Sequence, residues 1–347
     1  MKPIHCKQTL VALSAARPNR AGRFVAALAT VLIATAQQAP SAHAQPQANP
    51  WPARPVAMML GYPAGSGIDS VARFLAEGLR EKTGQAFIVE NRPGAVGNLA
   101  AQAVARAQAD GYTMLFTPNS THAANIHLFR KLGFDPVADF SPVTTLVTLG
   151  FVLVVNPTAV PVNSVAELTA WIKARPGRLA YGSGNATGRV AAEMYRTLTG
   201  ADAINVPYKG VPPAITDLLG GQIQYLFADA TLAIPQARAG KIRALAVTNA
   251  KRISAAPDLP TMAEAGVAGY ELDGWFAAFL PAHAPRDVVL KLSDLCNAVM
   301  TTERARTFLR NIGADPFPGS PESLARHVAS ETEKWGRIVK AAGIEPE

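Results

Sequence analysis

Two glycine-rich segments are candidate binding loops, because each follows an apolar strand pattern and precedes an amphipathic helix pattern. They are Gly65-Ser66-Gly67 and Ser183–Gly188 (SGNATG). The start of a helix presents free backbone N–H groups and the positive end of its dipole, which favours anions. Neither segment ends in the Lys-Ser/Thr of a phosphate-binding loop, and Ser70 replaces the third glycine of a dinucleotide fingerprint. The two loops therefore predict a site for a small anion other than a nucleotide.

Side chains for catalysis or metal binding are few beyond residue 44. The histidines there are His122, His127, His283 and His327, and none forms an H-E-x-x-H motif. Gly182-Ser183-Gly184 is similar to a nucleophile elbow, but Tyr181 stands where G-x-S-x-G requires glycine. Because triads are recognised by geometry, a hydrolase remains a less favoured alternative. We predict no catalytic residue, no metal and no cofactor.

The chain has two cysteines, and only Cys296 lies beyond residue 44. No intrachain disulfide can therefore form in that part of the chain. Stability must therefore come from a large packed core, which a chain of 347 residues with 49% hydrophobic content can supply. Cys296 lies in an apolar helical pattern, 288–300, which predicts a buried and inert thiol.

The elements that would position the two loops form the same pattern twice. Tyr62–Phe116 and Tyr181–Phe227 each predict strand, helix, strand, helix, strand, with a Thr-Gly pair ending the first helix. Such patterns can recur by coincidence in βα proteins, but the shared order favours two equivalent lobes. Parallel strands carry their ligand loops at one edge of the sheet. The sequence thus predicts an α/β protein with two lobes, each a mainly parallel sheet flanked by helices.

Residues 1–44 have the composition of an export signal. Five basic and no acidic residues lie in the first 23, an apolar run of 13 residues follows (24–36), and Ala42-His43-Ala44 fits a cleavage site. A spanning helix needs about 20 apolar residues, so a membrane anchor is the weaker interpretation. We predict cleavage before Gln45 and a periplasmic protein. The rest of the chain has 28 basic and 25 acidic residues, which does not support a nucleic-acid partner.

Eight segments keep the order and spacing of motifs in a known family. They are YPAGSGIDSVAR (62–73), VENRPGAVGN (89–98), ADGYTML (109–115), VNPTAVPVNSVAEL (155–168), PGRLAYGSGN (176–185), VPYKGVPPAITDLLGGQI (206–223), GKIRALAVTNAKR (240–252) and LPTMAEAG (259–266). In these segments the chain resembles the Bug proteins, the extracytoplasmic solute receptors of the tripartite tricarboxylate transporter family. The resemblance implies a two-lobed Venus-flytrap fold, no catalysis, and a small carboxylate held often through water bridges to backbone groups.

By position, the resemblance implies the following ligand contacts. They are Tyr62, Pro63, Ala64, Gly65, Ser66, Gly67, Asp69, Thr117, Asn119 and Ser120 in one lobe, and Ser183, Gly184, Asn185, Thr187, Tyr208 and Asp229 in the other. Structural roles stay open for three of them. Asp69 could equally cap its helix, and Tyr208 could equally be a core aromatic. Asp229 would repel a carboxylate, so it suits a ligand with an ammonium or hydroxyl group unless it is structural.

The resemblance also implies the domain boundaries and the partners. Lobe 1 would comprise 50–152 plus 277–347 and lobe 2 would comprise 153–276, with strands at 149–156 and 275–281 crossing between them. The partners would be a small organic, amino or aromatic acid and the membrane permease of a tripartite transporter, with the receptor a monomer. An orphan receptor that presents its ligand to a signalling protein is the alternative.

This sequence departs from the family pattern in three ways that leave the ligand open. Ser66 stands where glycine is usual, the second loop is shorter with Arg189 where histidine is common, and the acid of a Phe-Asp pair is displaced to Asp229.

Overall fold

The computed structural model describes residues 51–347, and the predicted signal segment lies outside them. The strands of this part are β1 Val56–Leu60, β2 Phe87–Asn91, β3 Thr113–Pro118, β4 Phe140–Val155, β5 Ala180–Ser183, β6 Ile204–Pro207, β7 Tyr225–Asp229, β8 Arg243–Val247, β9 Asp273–Pro281 and β10 Ala314–Pro316. The helices are α1 Gly67–Thr83, α2 Asn98–Ala105, α3 Asn125–Leu128, α4 Val165–Lys173, α5 Ala186–Thr199, α6 Val211–Leu219, α7 Ala230–Arg238, α8 Arg286–Met300, α9 Glu303–Asn311 and α10 Pro321–Ala341. A π-helical turn, Ser120–Ala124, precedes α3.

The first sheet confirms the first strand–helix repeat. Strand β1 lies between β2 and β3 and is parallel to both, with Val56 opposite Phe87 and Ala57 opposite Thr113. Strand β9 pairs antiparallel with β3, and β4 pairs antiparallel with β9. The carboxyl ends of β1 and β3 therefore lie at one edge, where the first glycine-rich loop begins.

The second sheet repeats this arrangement. Strand β5 lies between β6 and β7 and is parallel to both. The last five residues of β4, Phe151–Val155, pair antiparallel with β7 and β8. Strand β4 thus belongs to the first sheet up to Gly150 and to the second from Phe151. We call the parts built on the two sheets the first and second lobes. The boundaries 50–152 plus 277–347 and 153–276 stay a prediction.

Helices α1 and α5 are ended by the glycines that the sequence indicates. Gly84 and Gly200 adopt left-handed conformations with φ of 73° and 68°, and each donates its N–H to a carbonyl of the last helical turn. Glycine reaches this conformation without a Cβ clash. Helix α1 buries one face, including Val71, Leu75 and Leu79, against the first sheet.

Several elements are not predicted from the sequence. They are α3, α4, α7, β8, β10 and the first half of β4. Helix α7 contains Pro235, which normally disfavours a helix interior. The first half of β4 includes Ser141, Thr144 and Thr145, so its apolar pattern is interrupted. Pairing with β9 stabilises these residues, and that pairing is not visible locally.

The core covers both faces of the first sheet and extends into the second lobe. Cys296 on α8 is fully buried in one cluster with α1, and burial raises the pKa of its thiol to about 12. On the other face Trp335 of α10 is fully buried in a cluster that includes residues of α2, α5 and β9. None of the helices in the described part of the chain is both long and apolar enough to cross a membrane.

Candidate functional site

A small cavity of about 30 Å³ lies where the two lobes meet. It is lined by Tyr62, Ser66, Gly67, Ile68, Pro118, Asn119, Ser120, Leu149, Phe151, Asn185, Thr187, Val211, Asp229, Gly274 and Phe276. Both glycine-rich loops and the ends of β3 and β7 contribute to this lining. The cavity therefore lies at the carboxyl edges of the parallel strands, as the sequence pattern predicts.

Four helices of 9 to 17 residues begin at the cavity wall. Gly67 is the first residue of α1, Asn185 caps α5, Val211 is the first residue of α6, and Asp229 precedes α7. The first N–H groups of a helix have no acceptor within that helix. Their partial positive charges add to the helix dipoles, so the cavity wall attracts an anion from several directions.

Ser120 supplies a side-chain donor to the same wall. It is 1% exposed, and its hydroxyl has no hydrogen-bond partner among residues 51–347. The Tyr62 hydroxyl lies near Ser120 but donates to the Val96 carbonyl, 3.3 Å away. A buried hydroxyl without a partner is costly, so Ser120 is suited to bond a molecule inside the cavity.

Asp229 is the charged side chain of the lining, and no lysine, arginine or histidine accompanies it there. Burial raises the pKa of Asp229 from its usual value, although the Thr231 hydroxyl, which donates to its carboxyl, acts in the opposite direction. Burial also raises the pKa of Tyr62, and the nearby Asp229 adds to this shift. Electrostatic attraction in the cavity thus comes from helix termini instead of cationic side chains.

Two contacts across the cavity join the lobes. The Asn119 side-chain amide donates to the Thr187 hydroxyl over 3.1 Å, and both residues are 1% exposed. Gly67 lies against α7 so closely that a Cβ there would overlap Thr231 and Asp229. These contacts define a closed arrangement of the two lobes.

Half of the predicted contact residues line the cavity. They are Tyr62, Ser66, Gly67, Asn119, Ser120, Asn185, Thr187 and Asp229. Three others lie beside it: Ala64 and Gly65 are exposed, and Pro63 packs on Gly210 of the second lobe.

The remaining five predicted residues do not line the cavity and contact residues of their own lobes instead. The Thr117 hydroxyl bonds Thr121, Ser183 donates to Asn205, and Tyr208 donates to Asp217. A Cβ on Gly184 would overlap the backbone at 210–211.

Asp69 organises the first loop. Its carboxylate accepts hydrogen bonds from the Gly65 N–H at 3.0 Å, from Arg73 Nε at 2.9 Å and from the Asn91 amide at 2.9 Å. Although burial alone would raise its pKa, the Arg73, Gly65 and Asn91 bonds together lower it. Asp69 is therefore an ionised carboxylate whose hydrogen bonds hold the first glycine-rich loop in place.

The apolar part of the lining is not predicted from the sequence. Ile68 and Val211 come from the helix starts, whereas Leu149, Phe151 and Phe276 come from the strands β4 and β9. The apolar runs at 149–156 and 275–281 indicate buried strands, but only the sheet pairing shows that they form the floor of the cavity. An apolar floor below polar helix ends suits a molecule with a carbon skeleton and a charged end.

Within residues 51–347 no cluster of three His, Cys, Asp or Glu side chains could hold a metal ion. His122 is fully buried, stacks on Phe279 and bonds Thr121, and burial lowers its pKa to about 3. Its Nε2 has no partner in this part of the chain. The ring is part of the core instead of the cavity lining.

Comparison with known proteins gives a consistent set of similarities. Residues 71–344 match the tripartite tricarboxylate transporter family receptor, TctC. Protein BugT of Bordetella pertussis is 33% identical over 300 residues, which is 85% of this chain and 91% of BugT. Rpa4515 of R. palustris, solved with adipate, is 39% identical with a TM-score of 0.84, covering 86% of this chain and 100% of that one. MatC of Rhodopseudomonas palustris, solved with bound malate, is 29% identical with a TM-score of 0.79, covering 83% and 100%.

Proposed function

The chain belongs to the tripartite tricarboxylate transporter receptor family, and on this premise we propose that it captures a small carboxylate between its lobes in the periplasm. It would hand this solute to the membrane permease of such a transporter without converting it. The solute would be an organic, amino or aromatic acid, and the receptor would act as a monomer.

One observation carries the proposal: four helix N-termini converge on a cavity whose lining has no lysine, arginine or histidine. Backbone N–H groups form charge-assisted hydrogen bonds with a carboxylate, each contributing about 1.5–3 kcal/mol. The apolar floor of Leu149, Phe151 and Phe276 would contact the carbon skeleton. Two relatives carry adipate and malate, both dicarboxylates, which supports the same class of ligand here.

A titration panel tests the ligand class. We expect at least one of adipate, succinate, malate, glutamate and benzoate to bind with micromolar or tighter affinity in isothermal titration. Adipamide, which has the shape of adipate without its charge, should bind about 100-fold more weakly than adipate if adipate binds, because two charge-assisted bonds are weakened. Native mass spectrometry of the freshly purified protein should identify a retained acid, and incubation should return that acid unchanged. A protein that binds neutral amides as well as acids would contradict the proposal.

Closure through both lobes gives a second expected result. Thr187→Val keeps the side-chain volume but removes the hydroxyl that Asn119 contacts, leaving the buried Asn119 amide unpaired only when the lobes close. This costs about 1–3 kcal/mol, so affinity for the acid identified above should fall about tenfold or more. Thr199→Val, at the other end of the same helix, is the matched control, since Thr199 donates to the Tyr195 carbonyl within its own lobe. Equal affinities for the two variants would show that the Asn119–Thr187 contact does not stabilise the bound state.

A further inference from the structure

Asp229 is a buried acid in a cavity built for an anion. The residue is 6% exposed and lines the cavity at the carboxyl end of β7. The Thr231 hydroxyl donates to one carboxyl oxygen, and Gly67 at the start of α1 packs against the same oxygen. Asp229 therefore lies on the wall where helix termini would bind the solute.

No cationic side chain lines the cavity beside Asp229, although backbone N–H groups at the start of α7, where Asp229 is the N-cap, act to lower its pKa. The loop after β1 contributes the phenol of Tyr62, and α7 contributes Thr231. Strands β4 and β9 contribute Phe151 and Phe276.

The titratable groups of α1 near the cavity are already paired with each other. Arg73 holds Asp69 through two hydrogen bonds, at 2.9 and 3.0 Å, and its side chain is 55% exposed on the outer side of the loop. The guanidinium is thus engaged away from Asp229. A negative charge on Asp229 has no counter-ion within the described residues of the cavity wall.

A second anion in this cavity creates a conflict between like charges. When two carboxylates share one site away from water, one of them is held as the neutral acid. The same arrangement then becomes favourable, because the acid O–H donates a short hydrogen bond to the remaining carboxylate.

We propose that Asp229 binds the solute as a neutral carboxylic acid, whose O–H donates to the solute carboxylate, so that capture takes up one proton from solvent. This inference rests on the proposed function. Asp229 is a specificity-determining residue in this view, because it selects an anionic oxygen as its partner. The burial that raises the pKa of Asp229 acts in the same direction, although the Thr231 hydroxyl and backbone N–H groups at the start of α7 oppose it.

Proton uptake is measurable by titrating adipate, or the tightest acid of the panel, in two buffers of different ionisation enthalpy between pH 6 and 8. Because binding raises the pKa of Asp229, affinity is gained below the bound-state pKa and lost as pH rises through it. We expect affinity to increase as pH falls, by at most tenfold per pH unit, with uptake approaching one proton per solute bound. Asp229→Asn should bind with affinity similar to that of the wild type, since its amide also donates, and should show neither pH dependence nor proton uptake.

Asp69→Asn is the matched control, because Asp69 is an equally buried acid that Arg73 keeps ionised. It should weaken binding by loosening the loop but leave the proton uptake unchanged. Proton release, or affinity that rises with pH, would overturn the proposal and indicate that ionised Asp229 binds an ammonium or hydroxyl group. Binding that is independent of pH in the wild type would also overturn it, even if Asp229→Asn does not fold. If no acid of the panel binds, the proposed function fails instead.

Discussion

Gly67→Ala should weaken solute binding by about 100-fold without a comparable loss of folding stability. A Cβ at this position would overlap Thr231 and Asp229 of the opposite lobe. Gly67 is the first residue of α1, where alanine is readily accommodated, so the clash arises only on closure. Overpacking of this kind costs about 1–3 kcal/mol, and here the cost falls on the closed state that binds solute. Isothermal titration and small-angle scattering with saturating solute measure affinity and compaction.

Gly78→Ala provides the matched control on the same helix. Its Cβ would contact Val299 of α8, so the clash lies within the first lobe. We expect Gly78→Ala to lower the melting temperature while the affinity stays near that of the wild type, the reverse of Gly67→Ala. Wild-type affinity and compaction in Gly67→Ala would mean that solute is bound without the inter-lobe contact seen at α1.

Trp335→Ala should reduce the free energy of unfolding by about 3–5 kcal/mol, which is the usual cost of truncating a buried tryptophan. Trp335 is fully buried on α10, and its indole N–H has no partner among residues 51–347. Trp335→Phe should therefore cost much less, because it keeps most of the apolar contact and removes an unsatisfied donor. Urea unfolding followed by circular dichroism gives both values. Equal losses for the two variants would contradict this account of the site.

The same helix connects stability to the cavity. Thr332 of α10 donates to the His122 carbonyl, and its own carbonyl bonds His127. These contacts hold the π-helical turn whose first residue, Ser120, lines the cavity. Substitutions in α10 that leave the chain folded should therefore still change the position of Ser120 in the cavity wall.

Local signals account for the parts of the fold that the sequence predicts. Helical spacing and glycine C-caps indicate α1 and α5 because both depend on neighbouring residues. The partners of Tyr208 and Ser183 are different in kind. Asp217, the partner of Tyr208, lies on a helix, and Asn205, the partner of Ser183, lies on an adjacent parallel strand. Tyr208 and Ser183 therefore bond these residues instead of lining the cavity, and only the folded structure brings the partners together.

The apolar residues of the cavity floor could not be identified from the sequence for a similar reason. Phe151 and Phe276 belong to strands that the sequence indicates as buried. Burial in a core and burial beneath a solute leave the same hydrophobic pattern, because both remove the side chain from water. Only the antiparallel pairing of β4 and β9 brings these residues below the helix termini.

The inaccessible thiol of Cys296 makes this protein well suited to site-specific labelling. Its sulfur is fully buried and its pKa is about 12, so little reactive thiolate is present at neutral pH. Cysteines introduced at exposed positions, such as Arg178 in the second lobe and Glu81 in the first, could then carry a pair of fluorophores without background at Cys296. Energy transfer between them would follow the opening and closing of single molecules in real time.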